Sequence, residues 1–159
     1  MAYAVRTLDG IKPGEQMPEL SIDVSPTTVV LGALASRDWR PMHHDKDFAL
    51  ERNGTRHVFI NTPHNAAYFE RYITDWTGPH GRLARIKFRM KDSVFPGDTM
   101  VLHGRVDKVE KDATGCGFVD LSVWLTVGDK TTTECSARIA VPVAAGHNPW
   151  ARRGDAWRP

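Results

Sequence analysis

The chain has 159 residues, of which 41% are hydrophobic, with 21 Lys and Arg against 19 Asp and Glu. This length is enough for one hydrophobic core, so we expect a single domain and exclude a multidomain enzyme. The composition is that of a globular chain, which excludes wholesale disorder, a collagen helix and a coiled coil.

The formal net charge of +2 is too close to neutrality to predict nucleic-acid binding. No apolar run reaches the roughly 20 residues that a membrane helix needs, and residues 1–18 carry no secretory signal pattern. We therefore expect a cytoplasmic protein without a membrane span. Cys116 and Cys135 do not form a CxxC pair, and we expect both to be reduced and buried rather than bridged or bound to a metal.

The first part of the chain alternates short elements with proline and glycine. Residues 1–18 predict a loosely structured N-terminal arm, and residues 19–24 alternate apolar and polar side chains as in a short strand. Ser25-Pro26 is typical of a helix start, and we expect that helix to run to about Arg37. It ends before Pro41, because a proline biases the residue before it away from helical geometry.

The strongest helix pattern lies in the middle of the chain. Residues 42–52 predict a short helix, and residues 56–60 predict a brief strand. Asn61-Thr62-Pro63 then supplies a helix cap, and the helix continues to a stop at Gly78-Pro79. Its apolar residues recur at helical spacing: Ala66, Phe69, Tyr72, Ile73 and Trp76. A helix with so many aromatic side chains on one face must pack that face against a large part of the fold.

From Leu83 onward the hydrophobic period changes from 3.6 to 2, which predicts four strands. They cover about residues 83–90, 99–109, 118–127 and 131–143, and residues 144–159 follow as a polar tail. The predicted fold class is α+β, with an antiparallel sheet wrapped around a long central helix over residues 19–143. Because a single small sheet leaves exposed edges, we expect dimerisation that continues the sheet across two subunits.

The densest polar cluster, residues 38–45, lies in a loop that is bounded by proline. Asp38 and His43 are five residues apart around this turn, so one group can take a proton from a water while the other supplies or steers one. The same residues also allow a solvated loop in which Asp38 caps backbone amides and His43 is exposed. His44 and Asp45 are not expected to bind a metal, because consecutive loop side chains rarely converge.

A family resemblance favours the catalytic interpretation of this loop. Asp38-x-x-Pro41-Met42-His43, followed by five residues and Ala49, resembles the hydratase-2 signature of the MaoC-like hot-dog enoyl-CoA hydratases. Arg40 stands where that family usually has asparagine. The turn at residues 95–99 also resembles the family's proline-glycine-aspartate turn.

The sequence is more closely similar to one branch, the small single-hot-dog subunits of actinobacterial steroid side-chain hydratases, in residues 35–38, 43–47 and 71–79. This resemblance implies a hot-dog fold in a dimeric or pseudo-dimeric double hot dog. It also implies a homodimer or a hetero-oligomer with a second hot-dog subunit, and a bulky, polycyclic acyl-CoA substrate. No metal or redox cofactor is implied, because coenzyme A is part of the substrate.

The implied reaction is reversible addition of water to a 2-enoyl thioester. Asp38 would act as general base and His43 would hold the water and provide the proton, with these roles open to exchange. The Thr62 amide, at the amino end of the central helix, is the expected oxyanion donor, since Pro63 has no N–H. The remaining predicted substrate-binding residues are Arg40, Asn61, His64, Asn65, Arg85 and Lys87.

Several assignments stay open at this point. His64 and Asn65 either line the pocket or cap the helix. A basic row on one strand face either meets coenzyme A phosphates or is simply the solvated side of the strand; it comprises Arg82, Arg85, Lys87, Arg89 and Lys91. A hot-dog acyl-CoA thioesterase and a non-catalytic assembly subunit are the alternative functions.

Overall fold

The computed structural model describes residues 5–159 and has a five-stranded antiparallel sheet with a long helix packed across one face. The strands are β1 (Gln16–Asp23), β2 (Arg82–Met90), β3 (Thr99–Lys111), β4 (Gly117–Val127) and β5 (Lys130–Val141). The helices are α1 (Pro26–Ala35), α2 (Lys46–Glu51) and α3 (Thr62–Thr77). The strand order is β1-β3-β4-β5-β2, which leaves β1 and β2 as the two edges.

The core lies between α3 and the sheet, as the change of hydrophobic period predicts. The buried face of α3 is made of Asn65, Phe69, Tyr72, Ile73 and Thr77. Opposite it, the strands contribute fully buried side chains such as Leu102, Leu125 and Ile139. The predicted α+β class with a sheet around a central helix is therefore confirmed.

Both long helices begin and end as their sequences predict. Ser25 accepts a hydrogen bond from the Thr28 amide at 3.0 Å and forms a capping box at the start of α1. Asn61 accepts from the His64 amide at 3.1 Å at the start of α3, and Gly78, at φ 79°, ends that helix. The caps fix the directions of the two helices. The candidate site lies at the last turn of α1 and the first turn of α3.

The predicted strand over residues 56–60 is wrong. Val58 and Ile60 are buried there, so the alternation is real, but this extended segment pairs with no strand among residues 5–159. The Ile60 amide donates to the Val94 carbonyl at 3.0 Å, while the Phe59 carbonyl accepts from a side chain. The predicted helix over residues 42–52 is shorter, because a 3₁₀ turn (Pro41–His43) precedes α2.

Within the described residues, the segments before β1 and after β5 are more ordered than the sequence suggests. β1 begins at Gln16 rather than at residue 19, because a register shift beside Pro18 lets the edge strand accept a proline and still bury Met17. Part of the predicted arm, residues 1–4, lies outside the described residues. The expected polar tail is packed: the Trp157 ring lies 5.8 Å from Phe118, and the Arg82 guanidinium stacks on Trp157 at 3.6 Å.

Cys116 and Cys135 are both free and buried, as predicted. Burial raises the pKa of the Cys135 thiol to about 12 and also raises that of Cys116. Within residues 5–159, no helix has the length and apolar character needed to cross a membrane.

Candidate active site

Asp38 is placed by the way α1 ends. Arg37 has φ 53°, a left-handed conformation that is uncommon for a residue other than glycine. The Asp38 amide donates back to the Ala33 carbonyl at 2.9 Å, which closes the last turn of the helix. This reversal brings the Asp38 side chain to the amino end of α3.

Four hydrogen bonds hold the Asp38 carboxylate, of which the longest runs from the Arg40 backbone amide to Oδ1 at 3.4 Å. Arg40 donates from Nε to Oδ1 at 2.8 Å and from a terminal nitrogen to Oδ2 at 2.7 Å. Asn61 donates from Nδ2 to Oδ2 at 2.9 Å. The hydrogen bonds from Arg40, with help from Asn61 and against the effect of burial, hold the pKa of the Asp38 carboxyl well below its usual range. Asp38 is therefore a carboxylate at neutral pH.

His43 is buried beside this carboxylate and oriented by the backbone. Its Nδ1 lies 2.8 Å from the Phe59 carbonyl oxygen, and its Nε2 lies 3.7 Å from Asp38 Oδ2. Because a carbonyl oxygen can only accept, this contact assigns the hydrogen to Nδ1 and leaves a lone pair on Nε2 of the neutral ring. The structure thus brings Asp38 and His43 together, with the free ring nitrogen on the carboxylate side.

The first turn of α3 offers one free backbone donor near this pair. The His64 amide is taken by the Asn61 side chain, and Pro63 has no N–H. The Thr62 amide has no acceptor among the described residues, and it carries the positive end of the helix dipole. Since Asn61 bonds to Asp38, the neighbouring Thr62 amide lies at the same corner of the fold.

Asn61 is the helix cap that the sequence predicts, and the structure also gives the position of Asn65, which the sequence left open. Asn61 caps α3 through its oxygen, and its nitrogen donates to both Asp38 and Ser36, the latter at 2.8 Å. Asn65 is buried under the helix, where it donates to the Thr133 hydroxyl at 3.2 Å. Asn65 therefore neither lines a surface pocket nor caps the helix.

His64 packs between the helices instead of facing the carboxylate. A Cβ added at Gly32 would lie 1.9 Å from His64 Nδ1, so the glycine permits this contact between α1 and α3. The ring stacks on Tyr68 with centroids 4.6 Å apart. Burial lowers the pKa of His64, which keeps the ring neutral at physiological pH.

The residues of the predicted basic row lie in different environments. Arg85, Lys87 and Arg89 are exposed and alternate with Ile86 and Phe88, whose side chains pack into the core. They therefore lie on the sheet face turned away from α3 and the Asp38 loop. Two others have structural partners, since Arg82 bonds to the C-terminal backbone and Lys91 pairs with Glu134.

A shallow groove of about 480 Å³ separates α1 from α3 and reaches the first turn of α3. Ser36, Pro63 and His64 line its end nearest the site, but Asp38 and His43 do not. The larger cavity of the described residues, about 650 Å³, lies on the opposite sheet face and includes Lys87.

Sequence reasoning missed two groups that organise the site. The Phe59 carbonyl fixes the ring of His43, and the Ser36 hydroxyl accepts from Asn61. A backbone acceptor carries no side-chain signal, so Phe59 was not identifiable from residue type. Ser36, in contrast, lies two residues before Asp38 and is a common residue at a helix end.

Comparison with known proteins agrees with this architecture. A family model described as "MaoC like domain" matches residues 11–123. The beta subunit of the 3-oxo-4,17-pregnadiene-20-carboxyl-CoA hydratase of Mycobacterium tuberculosis (strain ATCC 25618 / H37Rv) is 35% identical over 119 residues, which cover 75% of this chain and 89% of that protein.

Two solved structures show the same fold. A chain in the crystal structure of the ChsH1-ChsH2 complex from Mycobacterium tuberculosis matches with a TM-score of 0.76 at 28% identity, over 82% of this chain and 98% of that chain. The (R)-hydratase from A. caviae involved in PHA biosynthesis matches with a TM-score of 0.72 at 20% identity, over 83% and 98%. These matches confirm the predicted hot-dog fold.

The chain therefore belongs to the MaoC-like family, as its hydratase-2 signature predicts. Family membership and the hydratase relative together define it as an enzyme of the enoyl-CoA hydratase class.

Proposed function

We propose that this chain is the catalytic subunit of a hydratase that adds water reversibly to the 2,3 double bond of a bulky, steroid-type 2-enoyl-CoA thioester. The observation that carries the proposal is the convergence of Asp38 and His43, 3.7 Å apart, beside the free Thr62 amide. A water held by an acid–base pair and a donor for a developing oxyanion are the two requirements of this reaction.

In the proposed reaction, a water is held between Asp38 and His43. His43 Nε2 accepts one proton of that water while the oxygen forms a bond to C3 of the substrate. The π electrons move to the thioester oxygen, and the imidazolium then returns its proton to C2. The net change is one water added, with hydroxyl at C3 and hydrogen at C2, and the protein returns to its starting state.

The Thr62 amide stabilises the enolate oxygen in this scheme. It is free, and it lies at the positive end of a 16-residue helix, where developing negative charge is favoured. Loss of one such preorganised donor typically costs about 3–4 kcal/mol of transition-state stabilisation. Thr62 acts through its backbone, so its side chain is free to contact Met90 Sδ at 3.5 Å.

The choice of a steroid-type acyl group is supported by the relative that is named for a pregnadiene-carboxyl-CoA and that aligns over most of both chains. The proposed partner is a second hot-dog subunit, because the relative is a beta subunit and β1 and β2 are unpaired edges in the described part of the chain. Exposed apolar side chains on α1, α2 and the loop between them are a further surface that a partner would cover; they are Leu31, Leu34, Trp39 and Leu50.

Phosphate binding by Arg85 and Lys87 stays a prediction. Both side chains lie on the face away from α3, so coenzyme A would have to pass around the edge strand β2 to reach them. The absence of a metal or redox cofactor and the cytoplasmic location also stay predictions.

The test is to purify the chain alone and with candidate hot-dog partners, and to follow loss of the enoyl absorbance with short-chain, long-chain and steroid enoyl-CoA thioesters. Asp38→Asn and His43→Ala should each lower turnover by about 100-fold or more. Asp47→Asn, an exposed carboxylate in the first turn of α2, is the matched control and should leave it unchanged.

Two outcomes would contradict the proposal. Release of free coenzyme A without hydration of the double bond would identify a thioesterase. Turnover within a few-fold of wild type in both Asp38→Asn and His43→Ala, in the reconstituted complex, would identify a non-catalytic assembly subunit.

A further inference from the structure

Arg40, predicted above to bind substrate, bonds instead to the carboxylate of the site. Its guanidinium contacts both oxygens of Asp38, at 2.8 and 2.7 Å, in a bidentate arrangement that fixes the plane of the carboxylate. The Arg40 side chain is 60% exposed, whereas that of Asp38 is 10% exposed. Arg40 therefore covers Asp38 from the solvent side while Asn61 holds it from the protein side.

These contacts use most of the hydrogen-bonding capacity of Asp38. A carboxylate accepts about four hydrogen bonds. Arg40 and Asn61 supply three short ones from their side chains, and the Arg40 backbone amide supplies a long one at 3.4 Å. The backbone contact at 3.4 Å is longer than a usual N–H···O hydrogen bond, so this is the acceptor position that a water can take. The same donors stabilise the charge of Asp38 and so weaken it as a proton acceptor.

His43 has the opposite arrangement. Its Nδ1 is bound to the Phe59 carbonyl, and in the neutral form of the ring its Nε2 carries the lone pair on the Asp38 side. Of the two groups, His43 is therefore the one with an uncommitted basic atom.

We infer that Arg40 is a positioning residue that fixes Asp38 as a permanently charged water holder and thereby assigns the base role to His43. The inference rests on the proposed hydration for its kinetic consequence. Its structural consequence, a carboxylate whose protonation depends on Arg40, is independent of any reaction. Arg40 does not contact the reacting atoms in this assignment, because it acts through Asp38.

The test compares wild type with Arg40→Asn, which removes the charge, and Arg40→Lys, which keeps the charge but loses the bidentate contact. Arg71→Asn is the matched control, because Arg71 is another exposed arginine paired with an aspartate, at 3.3 Å from Asp75, on the outer side of α3. Each protein carries ¹³C-labelled aspartate side chains, and Asp38→Asn assigns the Asp38 carboxyl resonance. Circular dichroism is used to check that each variant is folded.

We expect the wild-type Asp38 resonance to stay constant from pH 7 to below its ordinary pKa of 3.8, and to titrate at higher pH in Arg40→Asn. In the reconstituted hydratase, Arg40→Asn should lower kcat by about 10- to 100-fold, the scale expected when a reacting group is misplaced, with a smaller change in KM. The acid limb of its kcat profile should begin at higher pH, and Arg40→Lys should recover part of kcat. Arg71→Asn should match wild type in both measurements.

An Asp38 resonance that is identical in wild type and Arg40→Asn would overturn the inference, and so would an unchanged kcat across the pH range. If wild type hydrates no enoyl thioester, the proposed function fails, and the resonance measurement alone decides the role of Arg40. The two failures are therefore distinguishable.

Discussion

The Phe59 carbonyl binds one nitrogen of the His43 ring, and this contact turns the other nitrogen toward Asp38. The residue that orients the histidine is thus part of the extended segment between α2 and α3, and not part of the loop that carries the signature. Its acceptor is a backbone atom, so substitution at position 59 does not remove the contact. The orientation of His43 depends on the path of the segment, which the buried Val58 and Ile60 hold in place.

The first prediction separates His43 from its neighbour. His43→Ala should lower kcat by about 100-fold or more, because it removes the proposed general base. His44→Ala should stay within a few-fold of wild type, since His44 is exposed and contacts the Trp39 carbonyl at 3.2 Å. Steady-state hydration kinetics measure both. Equal losses in the two variants would indicate a general effect of the loop and not catalysis by His43.

The second prediction concerns Asn61, which joins the cap of α3 to the carboxylate of the site. Asn61→Ala should lower the free energy of unfolding by about 1–2 kcal/mol through loss of the cap alone, as measured by urea denaturation. Asn61→Asp keeps a capping oxygen but places a second carboxylate against Asp38, so it should preserve more stability and still lose activity. Asn53→Ala, in the loop after α2, is the control, because the Asn53 side chain donates to the Thr55 hydroxyl at 3.4 Å and not to Asp38. An Asn61→Asp variant as active as wild type would contradict this account.

The third prediction tests the contact between α1 and α3. Gly32→Ala should destabilise the fold by about 1–3 kcal/mol, the usual cost of overpacking, because its Cβ would overlap the His64 ring. Gly10→Ala is the matched control, since its nearest neighbour would be 4.0 Å away. Adding His64→Ala to Gly32→Ala should recover part of the loss. Thermal or urea unfolding measures the stability of the three variants and of wild type. A Gly32→Ala variant as stable as Gly10→Ala would be incompatible with the packing described.

The fourth prediction is a pH dependence of stability. Asp38 has a folded-state pKa below its ordinary value of 3.8, so its ion pair stabilises the folded protein at neutral pH. This contribution is complete above about pH 5 and declines as the pH falls below 3.8, where the unfolded chain binds the proton first. The stability difference between wild type and Arg40→Asn should therefore be constant near neutrality and shrink in acid. A stability difference between the two proteins that grows as the pH falls would contradict this prediction.

The fifth prediction concerns the two thiols. Burial raises the pKa of Cys135 to about 12, so its thiolate is scarce at pH 8, and the side chain is also shielded from reagents. A thiol-specific reagent should label neither Cys135 nor Cys116 rapidly in the folded protein, and both in urea. Cys135→Ser removes one of the two labels in urea, which provides the control. Rapid labelling of either cysteine in the native wild type would show that the sheet opens at that cysteine.

Much of the architecture was predictable from local patterns. The period-2 alternation after Leu83 and the capped helix that begins at Asn61-Thr62-Pro63 correspond to real elements, because burial on one face dictates both patterns. The segment 56–60 shows where this reasoning fails. Alternating burial of Val58 and Ile60 looks like a strand, but strand formation also requires a neighbouring backbone, which no local pattern reveals.

The site was predictable in part for the same reason. Asp38 and His43 share one turn, so their approach follows from short-range geometry. Asn65 and Arg85 were assigned to substrate from their residue types and positions, yet the fold buries the first and turns the second away from α3. The role of Arg40 was not predictable, since an exposed arginine in a loop is compatible with many partners.

The contact between Thr62 and Met90 joins the amino end of α3 to the last residue of β2, which is an open edge of the sheet. A strand that docks along β2 would therefore end beside Thr62, whose amide is the proposed oxyanion donor. If the proposed partner subunit docks there, it would contribute to the shape of the proposed oxyanion-binding corner, and assembly would then be coupled to the proposed catalysis.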